Sequence, residues 1–493
     1  MATQKLQPIQ QTLDTLIVGA GISGLSLAYA LNKQLPQQDR NSSQRILVAE
    51  QRGRVGGNIV TAEVDNFLWE EGPNSFSPNP HLLKLVLDVG LESELLLSNS
   101  RLPRFVYWQG HLHPVPTNPW ALTKSNLLSN PGKLRALLGA IGLMPPPSIG
   151  AKRAQKAEEE TVKQFFYRHL GHEVTERLVA PFVSGVYAGD PQQLSVAAAF
   201  PRIVKLESTG GSLIAGAIRS RLQNSQPPSD KNSKPPVGSL ASFKQGLRSL
   251  PHAIAQHLDS QIKLNWRLTK LQRNPEHTYT AEFATPEGQQ QIEAKTVVFT
   301  SPSYITAKLL QPLQPTLSQL LESIPYPPVA VVVLAYPKTA TTHNLQGFGH
   351  LVPRGQGIQT LGTIWSSSLF PDRAPKDWHL LTTFIGGATN PEIAELSDEQ
   401  IVEIVDQNLR KILLNSEAPP PKVLAVHKWV QAIPQYTLGH PRKLDDIQKQ
   451  LKQLPGVFLR SNYIDGVSLG DCVRLAEEKA QEVKNWLDGE SLK

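Results

Sequence analysis

Three glycines near the start of the chain have the spacing of a phosphate-binding turn. The run Gly19-Ala20-Gly21-Ile22-Ser23-Gly24 fits the pattern G-x-G-x-x-G. In this pattern the first glycine allows a tight turn, the second lets the backbone approach a pyrophosphate, and the third lets a helix pack closely on a strand. The phosphates then lie at the positive end of a helix dipole. All six residues are therefore predicted to bind a dinucleotide.

The elements that must position this turn form a β-α-β unit that ends on an acidic residue. Thr15–Val18 is a short apolar run typical of a buried strand, Leu25–Leu31 has helical spacing, and Arg45–Ala49 predicts a second strand. A right-handed crossover between parallel strands is expected. Glu50 closes the second strand, where its carboxylate would accept hydrogen bonds from ribose hydroxyls. The polar spacer Pro36–Gln44 accounts for its long separation from the glycines.

The segment after the second strand distinguishes FAD from NAD. The run Arg54-Val55-Gly56-Gly57-Asn58-Ile59-Val60-Thr61 resembles the R-x-G-G-x-x-x-T signature of the flavin amine oxidase superfamily. Arg54 would place positive charge near the diphosphate, and the glycine pair would let the backbone lie against the cofactor. The cofactor is therefore predicted to be FAD. The predicted contacts from this part of the chain are Glu50, Gln51, Arg54, Gly56, Gly57 and Asn58.

Five further blocks resemble oxygen-dependent protoporphyrinogen oxidases, in particular the plant plastid and cyanobacterial form. They are Glu71–Phe76, Pro103–Tyr107, Pro181–Asp190, Leu361–Pro375 and Gln431–Tyr436. The likeness covers the chain from about residue 14 to 485. It implies an FAD oxidase of tetrapyrrole synthesis, which would convert protoporphyrinogen IX to protoporphyrin IX while three O₂ are reduced to three H₂O₂. The flavin would carry the chemistry, and no protein acid or base is firmly implied.

The resemblance also implies roles for individual residues. Asn74 is a candidate catalytic residue near the reactive face of the flavin, and Arg104 would bind a propionate of the substrate, since a guanidinium suits a carboxylate bidentately. Gly185 would face the pyrrole rings through its backbone. Apolar walls around the tetrapyrrole would come from Leu351, Ile364 and Phe384. Further flavin contacts are expected at Gly72, Pro73, Asn74, Ser75, Leu268, Val467, Ser468 and Leu469.

Two arginines near the C-terminus depart from the family pattern. Arg460 stands where the family usually has glycine, and Arg474 stands where it usually has glutamate. A bulky Arg460 could not copy a close glycine approach to phosphate. The one cysteine, Cys472, lacks the surroundings of a covalent flavin attachment, so FAD is expected to be non-covalent and the thiol buried. No metal site is predicted.

The predicted fold class is α/β (α+β), with a Rossmann-like FAD-binding domain, a substrate-binding domain with a mixed sheet and an inserted helical, membrane-associating domain. Residues 12–98, 214–300 and 431–493 are assigned to the FAD-binding domain. Residues 99–110 and 301–430 are assigned to the substrate-binding domain, and residues 111–213 to the helical domain. Strands are expected between about 262 and 300 and at Val329–Tyr336, and a polar, proline-rich loop at 223–238.

The net charge of +7 over 493 residues is concentrated in one region. Residues 101–170 hold ten basic and three acidic side chains, so this segment alone accounts for the excess (10 − 3 = 7). No aromatic-interleaved basic motif accompanies it, which excludes nucleic acid. A dicarboxylate substrate and peripheral contact with an anionic lipid surface would explain the charge. The apolar residues expected at that surface are Leu122, Leu127, Leu128, Leu137, Leu138, Ile141, Leu143 and Met144.

No transmembrane helix, signal peptide or transit peptide is expected, so the predicted location is the cytoplasm of a bacterium, with a cyanobacterial source favoured. The resemblance suggests a homodimer. Two alternatives share the first motifs. A carotenoid desaturase would need an elongated apolar channel without an anionic anchor, and a non-catalytic flavoprotein would bind tetrapyrroles without turnover.

Overall fold

The computed structural model describes residues 12–35, 45–144, 159–223 and 239–490. Several sequence-based predictions therefore fall outside the described residues. They concern the first eleven residues, the spacer Pro36–Gln44, residues 224–238 of the predicted loop, and the basic residues Lys152, Arg153 and Lys156.

The strands and helices have the following bounds. The strands are β1 Leu13–Val18, β2 Ile46–Glu50, β3 Thr61–Val64, β4 Phe67–Glu70, β5 Leu95–Leu97, β6 Arg104–Trp108, β7 His111–Pro114, β8 Ala241–Phe243, β9 Ile262–Leu264, β10 Arg267–Arg273, β11 Tyr279–Thr285, β12 Gly288–Phe299, β13 Val329–Pro337, β14 Gly349–Leu351, β15 Thr360–Trp365, β16 Trp378–Gly386, β17 Lys422–Trp429 and β18 Val457–Leu459. The helices are α1 Ile22–Gln34, α2 Pro80–Asp88, α3 Pro119–Lys124, α4 Asn130–Ala140, α5 Val162–Leu170, α6 His172–Val174, α7 Ala180–Tyr187, α8 Val196–Ala199, α9 Pro201–Gly210, α10 Leu213–Gln223, α11 Ser249–Leu258, α12 Ser303–Leu310, α13 Pro315–Glu322, α14 Ser366–Leu369, α15 Asp398–Ile412, α16 His440–Leu451 and α17 Leu469–Glu490.

The first large sheet contains the predicted β-α-β unit. Its strand order is β10-β11-β12-β1-β2-β9, with β18 also paired to β12. Strand β1 is parallel to β2 and to β12, whereas β10, β11 and the first part of β12 form an antiparallel meander. The predicted β-α-β unit is confirmed, because α1 connects the parallel strands β1 and β2, and so are the strands predicted between 262 and 300.

Helices cover both faces of this sheet, because successive strand residues point to opposite sides. Ile17, Val48 and Val298 lie on one face and pack with residues of α1, α2, α11 and α17. Leu16, Leu47 and Val297 point the other way and pack with residues of α12, α13 and α16. The dinucleotide-binding architecture expected from the sequence is therefore present, with its glycine turn at the carboxyl end of β1.

The second large sheet has the order β17-β13-β16-β15-β14-β6-β7. It is antiparallel except for the β14–β6 pair, which is parallel. The strand predicted at Val329–Tyr336 is confirmed as β13, which is buried along nearly its whole length. One face of this sheet is covered by α15, whose residues Ile401, Val405 and Leu409 pack with Val332 and Leu334.

At two of the predicted domain boundaries, the chain packs with a different sheet or continues further in the same sheet than predicted. Strand β7 pairs with β6 in a hairpin, so the second sheet continues past residue 110. Helices α12 and α13 pack in a core of the first sheet, although residues from 301 onward were assigned to the substrate-binding domain. Both differences arise because the periodicity of a segment predicts its type but not the sheet that it packs against.

The described part of the helical domain predicted for residues 111–213 is helical from Pro119 onward, and its last helix continues to Gln223. Its main core contains Val162, Phe165 and Val183. Leu127 and Leu128 are buried, so the prediction that they belong to a membrane-facing surface is wrong, since a surface residue cannot also be core. Leu137, Ile141, Leu143 and Met144 are exposed. None of the helices in the described residues is long and apolar enough to cross a bilayer.

Candidate functional site

The glycine turn between β1 and α1 has the geometry that its spacing predicts. Gly19 has φ +111°, a conformation that side chains other than hydrogen rarely allow. A Cβ at Gly24 would lie 2.0 Å from the Gly19 carbonyl oxygen, so only glycine lets α1 start this close to β1. Gly21 is the N-cap of α1, and no side chain caps the first turn. The amide groups at this helix end therefore face outward without a side-chain acceptor.

A second glycine pair lies directly against this turn. Gly56 and Gly57 have φ +98° and +59°, and the Gly56 amide donates to the Ala20 carbonyl oxygen at 2.8 Å. A Cβ at Gly57 would lie 3.1 Å from the Gly21 Cα. The two loops thus form a strip of backbone without side chains.

Arg54 holds the shape of the second loop. Its guanidinium donates to the Gly57 carbonyl oxygen at 2.9 Å and to the Val55 carbonyl oxygen at 3.2 Å. Burial, and then the nearby charge of Arg52, lower the pKa of Arg54. Gln51 and Asn58, which precede and follow this stretch of the sequence, are both exposed.

Glu50 ties the two loops to the end of β2. Its Oε2 accepts from the Ala20 amide and its Oε1 from the Arg52 amide, both at 2.9 Å. The chain before β10 reaches the same point, because the Trp266 amide donates to the Glu50 carbonyl oxygen at 2.8 Å. Leu268 follows two residues later, with its side chain buried in the core. Only its backbone is therefore available for the predicted contact with the cofactor.

Gly72, Pro73, Asn74 and Ser75 continue from β4 along the same region and are half-buried. A Cβ at Gly72 would lie 2.0 Å from the Asn58 carbonyl oxygen, so this segment presses against the Arg54–Asn58 loop. On the C-terminal return, Ser468 caps α17 by accepting from the Asp471 amide at 3.1 Å. Val467 packs on the helical core, and Leu469 is buried beside α1.

The two departures from the family pattern have different surroundings. The Arg460 side chain is buried, and its guanidinium donates to the carbonyl oxygens of Asp471 at 3.3 Å and Cys472 at 3.0 Å. It therefore packs beneath the start of α17. Arg474 lies on the outside of α17 and pairs with Glu478 at 2.7 Å.

Four of the predicted substrate residues share one face of the second sheet. Arg104 pairs with Gly349, which pairs with Ile364 on the next strand. In the neighbouring row Leu351 pairs with Gly362, which pairs with Phe384. Paired residues and residues two apart point to the same side of a sheet, so these four side chains lie on the face opposite α15. The three apolar residues are half-buried, and Arg104 is exposed.

Helix α7 brings the fifth predicted substrate residue to this face. A Cβ at Gly185 would lie 2.4 Å from Leu351 Cδ2, so α7 and β14 approach closely only because residue 185 is glycine. Strand β7 begins at His111 and pairs with the strand that begins at Arg104.

Sequence reasoning missed a cluster beside the Gly72–Ser75 segment. Glu71 Oε2 lies 3.0 Å from His427 Nδ1, and the hydrogen bond from this histidine lowers the pKa of Glu71. Trp429 donates from Nε1 to the Glu71 carbonyl oxygen at 2.7 Å, across a separation of 358 residues. The only signal in the sequence was that Trp429 precedes the Gln431–Tyr436 block, which does not reveal a contact with Glu71.

These residues fit FAD. The facing glycines leave a side-chain-free strip beside the uncapped start of α1, which suits a diphosphate. Glu50 at the end of β2 suits a ribose. The Cys472 thiol is buried and lies 3.7 Å from the Gly466 carbonyl oxygen. The described residues hold no group of three or more His, Cys, Asp or Glu side chains arranged for a metal ion.

Comparisons with known proteins show what this chain is similar to. Residues 22–484 match the family of flavin-containing amine oxidoreductases. The chloroplastic protoporphyrinogen oxidase of Nicotiana tabacum is 45% identical over 487 residues, covering 96% of this chain and 86% of the relative. The coproporphyrinogen III oxidase of Bacillus subtilis (strain 168) is 28% identical over 484 residues, covering 96% and 98%. A solved structure from Exiguobacterium sp. 255-15, provisionally assigned as a protoporphyrinogen oxidase, has a TM-score of 0.75 and 25% identity, covering 97% and 99%.

Proposed function

Because the chain belongs to the flavin-containing amine oxidoreductases and, within them, to the protoporphyrinogen oxidases, we propose that it oxidises protoporphyrinogen IX to protoporphyrin IX. Six hydrogen atoms leave the substrate, and three O₂ are reduced to three H₂O₂, so atoms and electrons balance. The cofactor is FAD, and the buried Cys472 favours non-covalent binding. When bound, FAD supplies the two-electron oxidation and the transfer of electrons to O₂.

The observation that carries the proposal is the shared sheet face of Arg104, Leu351, Ile364 and Phe384, closed on one side by Gly185 of α7. A large flat ligand requires apolar walls with a few polar anchors at the rim. The three apolar side chains would exclude water from the macrocycle, and Gly185 would let the ring lie against the backbone. Arg104 would bind a propionate at the exposed rim. Asn74 stays the candidate residue on the flavin side.

Replacing Arg104 with alanine tests the substrate anchor. A charge-assisted contact is worth about 1.5–3 kcal/mol, so the KM for protoporphyrinogen should rise about ten- to hundredfold. Arg101 is a matched control, because it is exposed and lies three residues earlier. Arg101→Ala should retain the wild-type KM. An unchanged KM in Arg104→Ala would instead favour a desaturase-like site without an anionic anchor.

Anaerobic mixing distinguishes an oxidase from a tetrapyrrole-binding flavoprotein. The purified protein should show flavin absorption bands at about 370 and 450 nm, and these bands should bleach when protoporphyrinogen is added without O₂. A flavin that stays oxidised would contradict turnover. Parallel assays with coproporphyrinogen III test the chemistry named for the more distant Bacillus relative, and protoporphyrinogen should react faster, given the higher identity to the plastid enzymes.

We also propose peripheral membrane contact through the helical region. Trp120 and Leu143 are 79% and 70% exposed, and Leu137, Ile141 and Met144 lie exposed nearby. Partial burial of such a surface at the lipid interface does not require a spanning helix. In sedimentation with vesicles that contain anionic lipid, Trp120→Ser combined with Leu143→Ser should reduce the bound fraction. Val64→Ser is the control, because Val64 is an apolar residue that is 51% exposed on the β3–β4 hairpin, outside the helical region. Equal binding of the wild type, the double variant and the control would contradict this surface.

The expected homodimer and bacterial cytoplasmic location stay predictions. Sedimentation equilibrium of the holoprotein tests the dimer. The measured mass should be about twice that of the 54.3 kDa chain. A single species at the chain mass would contradict it.

A further inference from the structure

Glu71 and His427 connect the segment after β4 to the edge strand of the second sheet. Their side chains are 17% and 33% exposed, so solvent screens the 3.0 Å contact only partly. Trp69 Nε1 also donates to Glu71 Oε1 at 3.4 Å. Both carboxylate oxygens of Glu71 are therefore held by neighbouring rings.

Trp429 adds a second connection from the same strand. Its Nε1 donates to the Glu71 carbonyl oxygen, and its ring centroid lies 4.3 Å from that of His427. A Cβ at Gly72 would lie 3.9 Å from Trp429 Cζ2, which is ordinary contact. Strand β17 therefore holds both the backbone and the side chain of Glu71.

The Glu71–His427 contact lies on the same sheet face as the residues proposed to contact the substrate. His427 pairs with Val331, and Val331 pairs with Phe384, so the His427 and Phe384 side chains point to the same face. On its other side, Gly72 presses on the Asn58 carbonyl oxygen in the glycine-rich loop. The Gly72–Ser75 segment is consequently fixed between the dinucleotide loops and the substrate-facing sheet.

We infer that Glu71, His427 and Trp429 form a positioning clamp that sets the distance between the flavin side and the substrate side of the site. The inference rests on the proposed function. The two-electron oxidation that bound FAD would supply depends steeply on this distance, since a misplacement of about 1 Å can reduce a rate by about 10²-fold. The clamp residues act through the Gly72–Ser75 segment and not on the reacting atoms.

The test compares His427→Phe and Glu71→Gln in the holoenzyme. The measurements are the rate of anaerobic flavin reduction per bound FAD at saturating protoporphyrinogen, the KM, the visible circular dichroism of the flavin and Tm. His427→Phe should lower the reduction rate about ten- to hundredfold with little change in KM, and should alter the flavin dichroism. Glu71→Gln keeps an uncharged hydrogen bond, so its flavin reduction rate should fall less than that of His427→Phe.

A matched pair on the surface supplies the control. His81 Nδ1 lies 2.6 Å from Glu477 Oε2, and both side chains are more exposed than the clamp pair. His81→Phe and Glu477→Gln should leave the reduction rate and the dichroism unchanged.

A wild-type reduction rate per bound FAD in His427→Phe, with only Tm lowered, would overturn the clamp. If His427→Phe does not fold, Glu71→Gln carries the same test because it preserves side-chain volume. If the wild-type protein itself does not reduce its flavin with protoporphyrinogen, the proposed function fails. In that case an altered flavin dichroism in the clamp variants would still support the clamp, and an unchanged one would overturn it.

Discussion

Adding one methyl group at Gly185 should narrow the proposed substrate site from the side of α7. In Gly185→Ala the new Cβ would lie 2.4 Å from Leu351 Cδ2, whereas ordinary contact begins at 3.4 Å. The leucine methyl must therefore move by at least about 1 Å (3.4 − 2.4). Because the half-buried Leu351 lies on the face on which we propose that the substrate lies, its displacement would move one wall of the site.

The expected effect is on activity more than on folding. The clash involves the end of a flexible side chain, and turning Leu351 away from its preferred rotamer costs about 0.5–1.5 kcal/mol. This energy is small compared with the total stability of a folded protein, about 5–15 kcal/mol. A wall displaced by about 1 Å, in contrast, can lower kcat/KM by about 10²-fold because the ring no longer lies in the reactive geometry.

The assay is the fluorescence of the porphyrin formed at varied protoporphyrinogen concentration, with Tm measured on the same samples. Gly489→Ala is the control, since nothing lies within 4 Å of its Cβ position. Leu351→Val shortens the opposing side chain, so the loss in the double variant Gly185→Ala/Leu351→Val should be smaller than the sum of the single losses. A wild-type kcat/KM in Gly185→Ala, or strictly additive losses, would refute the steric reasoning.

Three further predictions follow from contacts described above or from shifted carboxylate pKa values. Gly24→Ala should prevent α1 from packing on β1 and yield little soluble protein, whereas Gly21→Ala meets no atom closer than 3.9 Å and should fold with less bound flavin, measured by absorbance. Burial raises the pKa of Glu207, but hydrogen bonds from Arg168 outweigh this effect and lower it to about 2. The stabilisation by Glu207 is therefore present above pH 4.5 and is lost as the pH falls toward 2, so the Tm difference between wild type and Glu207→Gln should shrink on acidification. Burial raises the pKa of Glu70 to about 7, so wild type should lose stability relative to Glu70→Gln as the pH rises from 4.5 through 7, and a Tm difference independent of pH would contradict this assignment.

The helical region illustrates the limit of sequence patterns. Leu127 and Leu137 have the same side chain and lie ten residues apart, yet Leu127 is fully buried and Leu137 is 48% exposed. An apolar residue in an amphipathic segment is expected to be covered, but the sequence does not say whether the protein core or an outside partner covers it.

The basic residues of this region show the same limit, because the sequence does not reveal which of them are paired. Arg168 belongs to the basic excess of the sequence, but in the structure it bridges Glu160 and Glu207 at 2.6 and 2.7 Å. Part of the charge expected at a membrane is therefore neutralised inside the protein.

The sequence alone determined those parts of the site that depend on local geometry. A turn with φ +111° at Gly19 requires glycine, and so does a helix start at which a Gly24 Cβ would lie 2.0 Å from the Gly19 carbonyl oxygen. The spacing of these glycines is therefore visible in the sequence. The tertiary structure alone decided which distant residues meet. Arg104 lies beside Gly349 through a parallel strand pair, and Glu71 meets His427 across two sheets. Such contacts depend on how sheets pack and register, which no local pattern of residues encodes.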